Sequence, residues 1–313
     1  MIEKKIIVFG SSGLVGSSVV RKLDSLSNFL TIASTREDTD LFKLSEVKKT
    51  IELNEPDAVI IAAAKVGGIH ANNTERVEFL LENLKINMNI FEACLEYKNI
   101  HIINLGSSCI YPLNSPNPIN ENEIMNGVLE KTNSPYAMAK LTSIELADAM
   151  KIQYGHRITN LMPTNLYGPH DNFSLELSHV IPGLIHRMHL AKINSEEIFT
   201  AWGTGNPLRE FLFVDDLANA ILFIIENEIE SDLINVGSNE EISIKELVEK
   251  IKNIVGFKGK VNFDDTKPDG NPRKLLDSTK IFDLGWSPNT FLDNGLEITY
   301  KWFLDNFNEI RVK

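Results

Sequence analysis

The run Lys5-Ile-Ile-Val-Phe-Gly10-Ser11-Ser12-Gly13-Leu14-Val15-Gly16 constrains the fold more than any other stretch of this chain. A short β-branched strand ends in three glycines and passes straight into Ser17-Ser-Val-Val-Arg-Lys-Leu23, which reads as helix. In such a strand–turn–helix unit the glycines let the backbone approach a pyrophosphate. Free N–H groups and the helix dipole meet its charge. The alternative is an ordinary glycine-rich βα turn, because the Gly10-x-x-Gly13-x-x-Gly16 spacing departs from the G-x-G-x-x-G fingerprint.

The same alternation continues downstream. Ile6–Gly10, Leu30–Ser34, Ala58–Ala63, His101–Gly106 and Arg157–Met162 read as strands, separated by helical stretches. That order implies right-handed βαβ units and an α/β fold: a Rossmann-type, doubly wound parallel sheet covered on both faces. From Glu75 to Tyr97, apolar Val77, Leu80, Leu81, Leu84, Met88, Phe91 and Leu95 recur at helical spacing and predict one packed helix. Burial within one subunit is the simpler reading of that stripe, and a dimer face shared with the next long helix is the other. After Pro163 the pattern loosens, and Pro169, Pro182, Pro207, Pro268, Pro272 and Pro288 divide shorter elements. We expect residues 1–163 to form the dinucleotide-binding domain and 164–313 mostly a smaller C-terminal substrate-binding lobe. Phe211–Ile225 and Leu233–Val236 are expected to return to the sheet, so the returning segments span about 211–236.

A chain of 313 residues is long enough for about two domains. No apolar run approaches the roughly 20 residues that span a bilayer, and the N-terminus enters the first strand at once, so we expect a cytoplasmic protein without a signal peptide. Two cysteines, Cys94 and Cys109, argue against a disulfide framework, and no cluster has zinc-ligand spacing. A net charge of −12 argues against nucleic-acid binding, so an anionic ligand needs a local basic pocket.

Ser134-Pro-Tyr136-Ala-Met-Ala-Lys140 carries the chemistry. On a helix the phenol and the ammonium lie one turn apart on one face. A cation beside a phenol is expected to lower its pKa from about 10, which suits proton transfer to a carbonyl oxygen during hydride transfer. The loop Asn104-Leu105-Gly106-Ser107-Ser108-Cys109-Ile-Tyr-Pro112 follows a strand, where doubly wound sheets bind ligands. Ser107 can donate to a substrate carbonyl or serve the turn, and Cys109 is by default a small buried apolar residue. The second strand ends in Ala33-Ser-Thr-Arg36 with no acidic residue at its tip, and the planar fork of Arg36 suits a 2′-phosphate, which favours NADPH over NADH. Asp38 and Asp40 oppose this if the loop turns them inward. Ser178 reads as a helix N-cap beside His179. Arg187, Arg209 and Lys267 are candidate cations for a diphosphate.

Ala62-Ala-Ala-Lys-Val-Gly-Gly-Ile69, Leu105–Pro112, Met162-Pro163-Thr164-Asn165-Leu166-Tyr-Gly-Pro-His-Asp-Asn-Phe173, Ser178–Pro182, Trp202–Leu212 and Lys267–Asp277 resemble the GDP-L-fucose synthase family. These are extended short-chain dehydrogenase/reductases, and the resemblance covers nearly the whole chain. It implies conversion of GDP-4-keto-6-deoxy-D-mannose to GDP-L-fucose, by C-3/C-5 epimerisation and then C-4 reduction with NADP(H). By resemblance Cys109 is the epimerisation base and His179 the acid, while Tyr136 protonates the C-4 oxygen, Lys140 holds it and Ser107 orients the ketone. It also implies a cofactor site at Gly10 to Gly16, Arg36, Leu105 to Ser108, Tyr136, Lys140, Pro163 to Leu166 and His179. Arg187, Trp202, Arg209 and Asp269 fall at the nucleotide-sugar site, and a homodimer is the default assembly. Four positions depart from the family: Ser12 where some bacterial members carry a basic residue, Phe213 for a His, and Thr142-Ser143 for a smaller pair. The rival readings are a C-4 reductase of a related GDP-linked keto sugar, such as a keto-heptose, and a non-catalytic NADP sensor, for which Ser107, Tyr136 and Lys140 would be superfluous.

Overall fold

The computed structural model describes residues 3–267 and 269–310. In chain order the elements are β1 (Lys4–Phe9), α1 (Leu14–Asp24), β2 (Phe29–Ser34), α2 (Leu44–Asn54), β3 (Ala58–Ile61), α3 (Ile69–Thr74), α4 (Arg76–Cys94), β4 (His101–Leu105), α5 (Ser134–Tyr154) and β5 (Arg157–Pro163). Then come β6 (Asn165–Tyr167), α6 (Val180–Ile193), β7 (Ile198–Trp202), β8 (Leu208–Phe213), α7 (Val214–Glu226), β9 (Ile234–Val236), β10 (Glu241–Ser243), α8 (Ile244–Val255), β11 (Lys260–Asp264), β12 (Arg273–Lys274), α9 (Thr279–Asp283) and α10 (Leu292–Asp305).

The main sheet runs β2-β1-β3-β4-β5-β9, with every pair parallel. Its central strands β3 and β4 are buried throughout, as suits runs rich in Val, Ile and Leu when helices cover both faces, and the buried His101 and Asn104 of β4 are hydrogen-bonded to Thr159 and Asn160 of β5. One face packs on α1, α7 and α9 through Val19, Leu23, Leu217, Ile221 and Ile281. The other packs on α2, α4 and α5 through Val47, Ile51, Ile90, Phe91 and Met150. Winding reverses between β1 and β3, which opens a crevice above the carboxyl ends of those strands. A separate core, with Phe173, Ile185, Met188, Leu247 and Phe303, unites α6, α8 and α10 with β8.

Several expectations change. Of the returning segments only β9 joins the main sheet; Phe211–Phe213 end β8, which lies in a second sheet, β10-β8-β12 with β6 beside β8. Residues 214–226 form α7, which lies on the face of the main sheet because its apolar side packs on α1 and an Asp215–Ser18–Arg21 cluster ties it there. The stretch from Glu75 forms one helix, α4, capped by Glu75 and ending at Cys94, with the short α3 before it, but its buried face is not the one its apolar spacing suggested. The inward face of α4 is Phe79, Asn83, Ile86, Asn87, Ile90 and Phe91, whereas Val77 is 67% exposed and Leu81, Met88 and Leu95 also face outward. The helix therefore carries two apolar faces, and one subunit buries only one of them.

Candidate active site

The glycine turn is built by close backbone contacts. Gly10 sits at φ +84°, and a Cβ there would fall 2.6 Å from the Ala63 backbone nitrogen. A Cβ on Gly16 would lie 2.1 Å from the Gly10 carbonyl oxygen. The N–H groups of Gly10 and Ser11 both reach the Ser34 carbonyl at the end of β2. Gly13 is the N-cap of α1, with no side-chain cap and no acidic residue in the first turn, so the helix dipole faces the crevice unopposed. Ser12 is exposed at the tip of the turn and adds no charge.

Beyond β2 the chain folds its carboxylates into their own turns. Asp38 accepts from the Thr35 N–H at 2.9 Å and hydroxyl at 2.7 Å, bonds that hold its carboxyl below the usual range. Asp40 accepts from the Phe42 N–H and pairs with Lys43 at 3.3 Å. Arg36 is left exposed above the Phe42 ring, 5.5 Å from its centroid, and Lys85 of α4 approaches the same ring at 6.0 Å. The end of β2 thus presents two cations, of which sequence reasoning found one.

A second group gathers at the end of β4. Lys140 is 2% exposed and donates to the Leu105 carbonyl at 2.7 Å. The small neighbours Ala137 and Ala139 are fully buried, which lets α5 lie close to the strand. Burial lowers the Lys140 amine to about 8, and its nitrogen stands 5.9 Å from the Tyr136 ring centroid. Tyr136 shares a hydrogen bond with Ser107, whose Oγ accepts from the Cys109 N–H at 3.2 Å inside the single 3-10 turn Ser108–Ile110. The Tyr136 phenol lies above, not below, its ordinary pKa: burial raises it first and the Cys109 sulfur second, against the opposing Ser107 bond. The helix spacing suggested a lowered value, but Lys140 spends its hydrogen bond on the Leu105 carbonyl and sits over the ring rather than at the phenol oxygen. Ser143 donates to the Lys140 carbonyl and accepts from Asn104, so this departure serves the scaffold.

Cys109 is half-buried, and its sulfur meets Lys274 Nζ at 3.7 Å. His179, not Ser178, caps α6, in extended backbone and without a side-chain cap bond; the Gly183 N–H closes the first turn on its carbonyl. The His179 ring is open to solvent at the rim, yet the surrounding protein depresses its pKa through desolvation. Among the described residues no hydrogen bond joins it to Ser107, Cys109 or Tyr136. The Gly67–Gly68 turn braces the segment leading to it, since Gly68 N–H donates to the Leu177 carbonyl. After β5, Thr164 donates its N–H to the Val236 carbonyl, and the Asn165 amide donates to the Glu210 carbonyl.

The substrate-lobe candidates also converge. Arg187 lies 5.1 Å from the centroid of Trp202 and 5.5 Å from that of Phe199, and Lys267 lies 5.9 Å from Trp202. Asp269 accepts from the Thr204 N–H and hydroxyl, and its carbonyl accepts from Arg209 at 3.3 Å. Desolvation lowers both arginines. Trp202 stays 55% exposed, an aromatic face open to a base or sugar. Phe213 takes no part: it is buried, 5.6 Å from the Tyr167 ring. Sequence reasoning missed Lys274 and the fully buried Glu210. The Glu210 carboxylate accepts from the Asn239 and Leu276 N–H groups and so fastens β8 to the segments on either side. The run Lys267–Asp277 was the available signal for Lys274, but nothing in it points to a cysteine 165 residues away.

Residues 6–237 match the model of the NAD dependent epimerase/dehydratase family. A probable GDP-L-fucose synthase 1 from Oryza sativa subsp. japonica is 48% identical over 303 residues, 96% of this chain and 92% of that protein. The solved GDP-L-fucose synthetase from Naegleria fowleri bound to NADP is 30% identical, with a TM-score of 0.90 over 99% of this chain and 97% of that one. A GDP-6-OMe-4-keto-L-xylo-heptose reductase from C. jejuni is 29% identical, with a TM-score of 0.91 over 97% and 98%.

Proposed function

Because the chain belongs to the GDP-L-fucose synthases of the NAD dependent epimerase/dehydratase family, we propose that it converts GDP-4-keto-6-deoxy-D-mannose to GDP-L-fucose with NADPH. The observation that carries this is the meeting of Ser107, Tyr136 and Lys140 with a half-buried cysteine at the carboxyl end of β4. A reductase needs the first three, and only an enzyme that also moves carbon-bound protons needs the thiol.

NADPH fits the chain's own geometry: Gly10 and Gly16 pack the turn tightly on Ala63 and on itself, which leaves the uncapped N-terminus of α1 at Gly13 to hold the pyrophosphate, and Arg36 would hold the 2′-phosphate. When bound it supplies hydride to C-4. Leu105 to Ser108, Pro163 to Leu166, His179 and Lys140 would hold the rest of the cofactor, Lys140 at the nicotinamide ribose. Arg187, Trp202, Arg209 and Asp269 hold the GDP-sugar, with the arginines against the diphosphate. The C-4 ketone acidifies the hydrogens on C-3 and C-5, because an enolate takes up the charge. Cys109 removes each proton and His179 returns one from the opposite face. Ser107 and Tyr136 hold the C-4 oxygen, and Tyr136 protonates it on reduction, its raised pKa keeping the phenol protonated for that step.

Residues 1–163 serve as the cofactor domain and 164–313 mostly as the substrate lobe. The protein works as a cytoplasmic homodimer through α4 and α5, whose outward Val77, Leu81, Met88 and Met138 form an apolar face. No helix among the described residues is long and apolar enough to cross a membrane. The fold likeness to the heptose reductase favours one second reading, C-4 reduction of a related GDP-linked keto sugar without inversion. Incubation with NADPH and GDP-4-keto-6-deoxymannose, followed by product NMR, separates the two. GDP-L-fucose supports the proposal; a product reduced at C-4 with C-3 and C-5 unchanged selects the plain reductase.

A further inference from the structure

The cation nearest the proposed base comes from the other lobe. Lys274 Nζ stands 3.7 Å from Cys109 Sγ, and among the described residues this sulfur is the only hydrogen-bond acceptor it reaches. The contact is anchored on every side. β12 pairs in parallel with β8, placing Lys274 opposite Arg209. Arg273, just before it, forks onto the Glu241 carboxylate at 2.7 and 2.6 Å. Just after it, Leu275 N–H donates to Asn117 Oδ1, and Leu276 N–H donates to the buried carboxylate of Glu210. A long, flexible side chain is therefore launched from a fixed backbone.

We propose that Lys274 is a positioning residue for Cys109: it donates to the sulfur, fixes its direction and carries the counter-charge when the thiolate takes a proton from the sugar. This rests on the epimerase/reductase reading above. In the step, the C–H bond breaks and an S–H bond forms, and the electron pair moves onto the C-4 oxygen as enolate. Lys274 remains an ammonium throughout, and the thiol afterwards releases its proton to water.

Two other groups face this pair. Tyr136, from α5, is a neutral phenol whose ionisation the sulfur opposes. Glu130, in the loop before α5, feels the Lys274 charge; burial would raise its carboxyl, and the bonds from Thr132 and Asn133 together with Lys274 hold it below the ordinary value. Its oxygens are engaged by the Thr132 N–H and hydroxyl and the Asn133 N–H, which leaves the Lys274 proton for the sulfur.

The test compares wild type with Lys274→Met and Lys274→Arg. Iodoacetamide labelling at pH 7 without substrate is read at Cys109 by peptide mass spectrometry; Cys94 is fully buried and stays silent. Loss of the cation should slow labelling about tenfold, and Arg should restore it to within about threefold. NADPH affinity, read by calorimetry, should be unchanged in both variants. Deuterium exchange at the sugar C-3 and C-5 should fall in Lys274→Met by at least as much as labelling does. Equal labelling rates in wild type and Lys274→Met, or full exchange by that variant, would overturn the proposal. If wild type labels fast and Lys274→Met slowly, but wild type exchanges no sugar protons, the Lys274–Cys109 contact stands and the epimerase reading fails. Near-UV circular dichroism checks folding, and Lys274→Gln replaces the Met variant if that one does not fold.

Discussion

The three glycines of the βα turn should respond differently to alanine, because the structure gives them different tasks. At Gly10 the new Cβ meets the Ala63 backbone at 2.6 Å and the residue must keep φ +84°. The left-handed backbone costs about 1–2 kcal/mol and overpacking about 1–3 kcal/mol, so Gly10→Ala should lose about 2–5 kcal/mol of stability. Gly16→Ala places its Cβ 2.1 Å from an immovable carbonyl and should lose at least the overpacking cost. Gly13 has φ −83°, and its Cβ would find only the Gly10 oxygen at 3.5 Å, an ordinary contact. Alanine is a poorer N-cap than glycine, but it also narrows the unfolded ensemble by about 0.4–1 kcal/mol. Gly13→Ala should therefore change stability by less than about 1 kcal/mol. Its methyl group would instead stand where the pyrophosphate approaches α1. Losing one charge-assisted N–H bond there, about 1.5–3 kcal/mol, weakens NADPH binding roughly tenfold to hundredfold. Urea unfolding of the free protein and calorimetric titration with NADPH measure the two effects separately. A Gly13→Ala protein as unstable as Gly16→Ala, or one that binds NADPH like wild type, would refute this division of labour.

Further outcomes follow from the same geometry. Burial lowers Lys140 from 10.5 to about 8, so between those values the unfolded chain holds a proton that the native state has lost. The cost of burying the charge is fully present below about pH 8 and fades as pH rises toward 10.5, so native stability should climb over that window, and Lys140→Met should flatten the climb in unfolding titrations. Arg36→Ala should weaken NADPH binding about tenfold or more while leaving NADH binding nearly unchanged, because only the 2′-phosphate uses the fork. Equal losses for both cofactors would exclude that role. Phe213→His should lower stability by about 1–3 kcal/mol through a buried polar ring and leave the sugar product the same by NMR, since Phe213 packs on Tyr167 and not on the cleft.

The sequence showed most plainly what is local. The glycine turn, the Tyr136–Lys140 helix and the strand ends are set by neighbours within a few residues, and periodicity shows them. What long-range pairing decides was hidden. β8 and β12 are two short strands whose parallel pairing brings Lys274 to Cys109, and no periodicity marks a two-residue strand. The Val77, Leu81, Met88 and Leu95 stripe looked like core because helical spacing records an apolar face without saying what covers it. Likewise the Tyr–Lys spacing placed an ammonium near the phenol but was silent about the Leu105 carbonyl that claims it. Asp38 and Asp40, ambiguous as letters, became harmless once their turns closed on them.

Isotope transfer from solvent tests the central claim most directly. With NADPH and GDP-4-keto-6-deoxymannose in heavy water, wild type should oxidise the cofactor and return a sugar carrying deuterium at both C-3 and C-5, while Cys109→Ser should bind NADPH normally and leave both positions unlabelled. Cofactor oxidation with no label in the wild-type product would contradict the account.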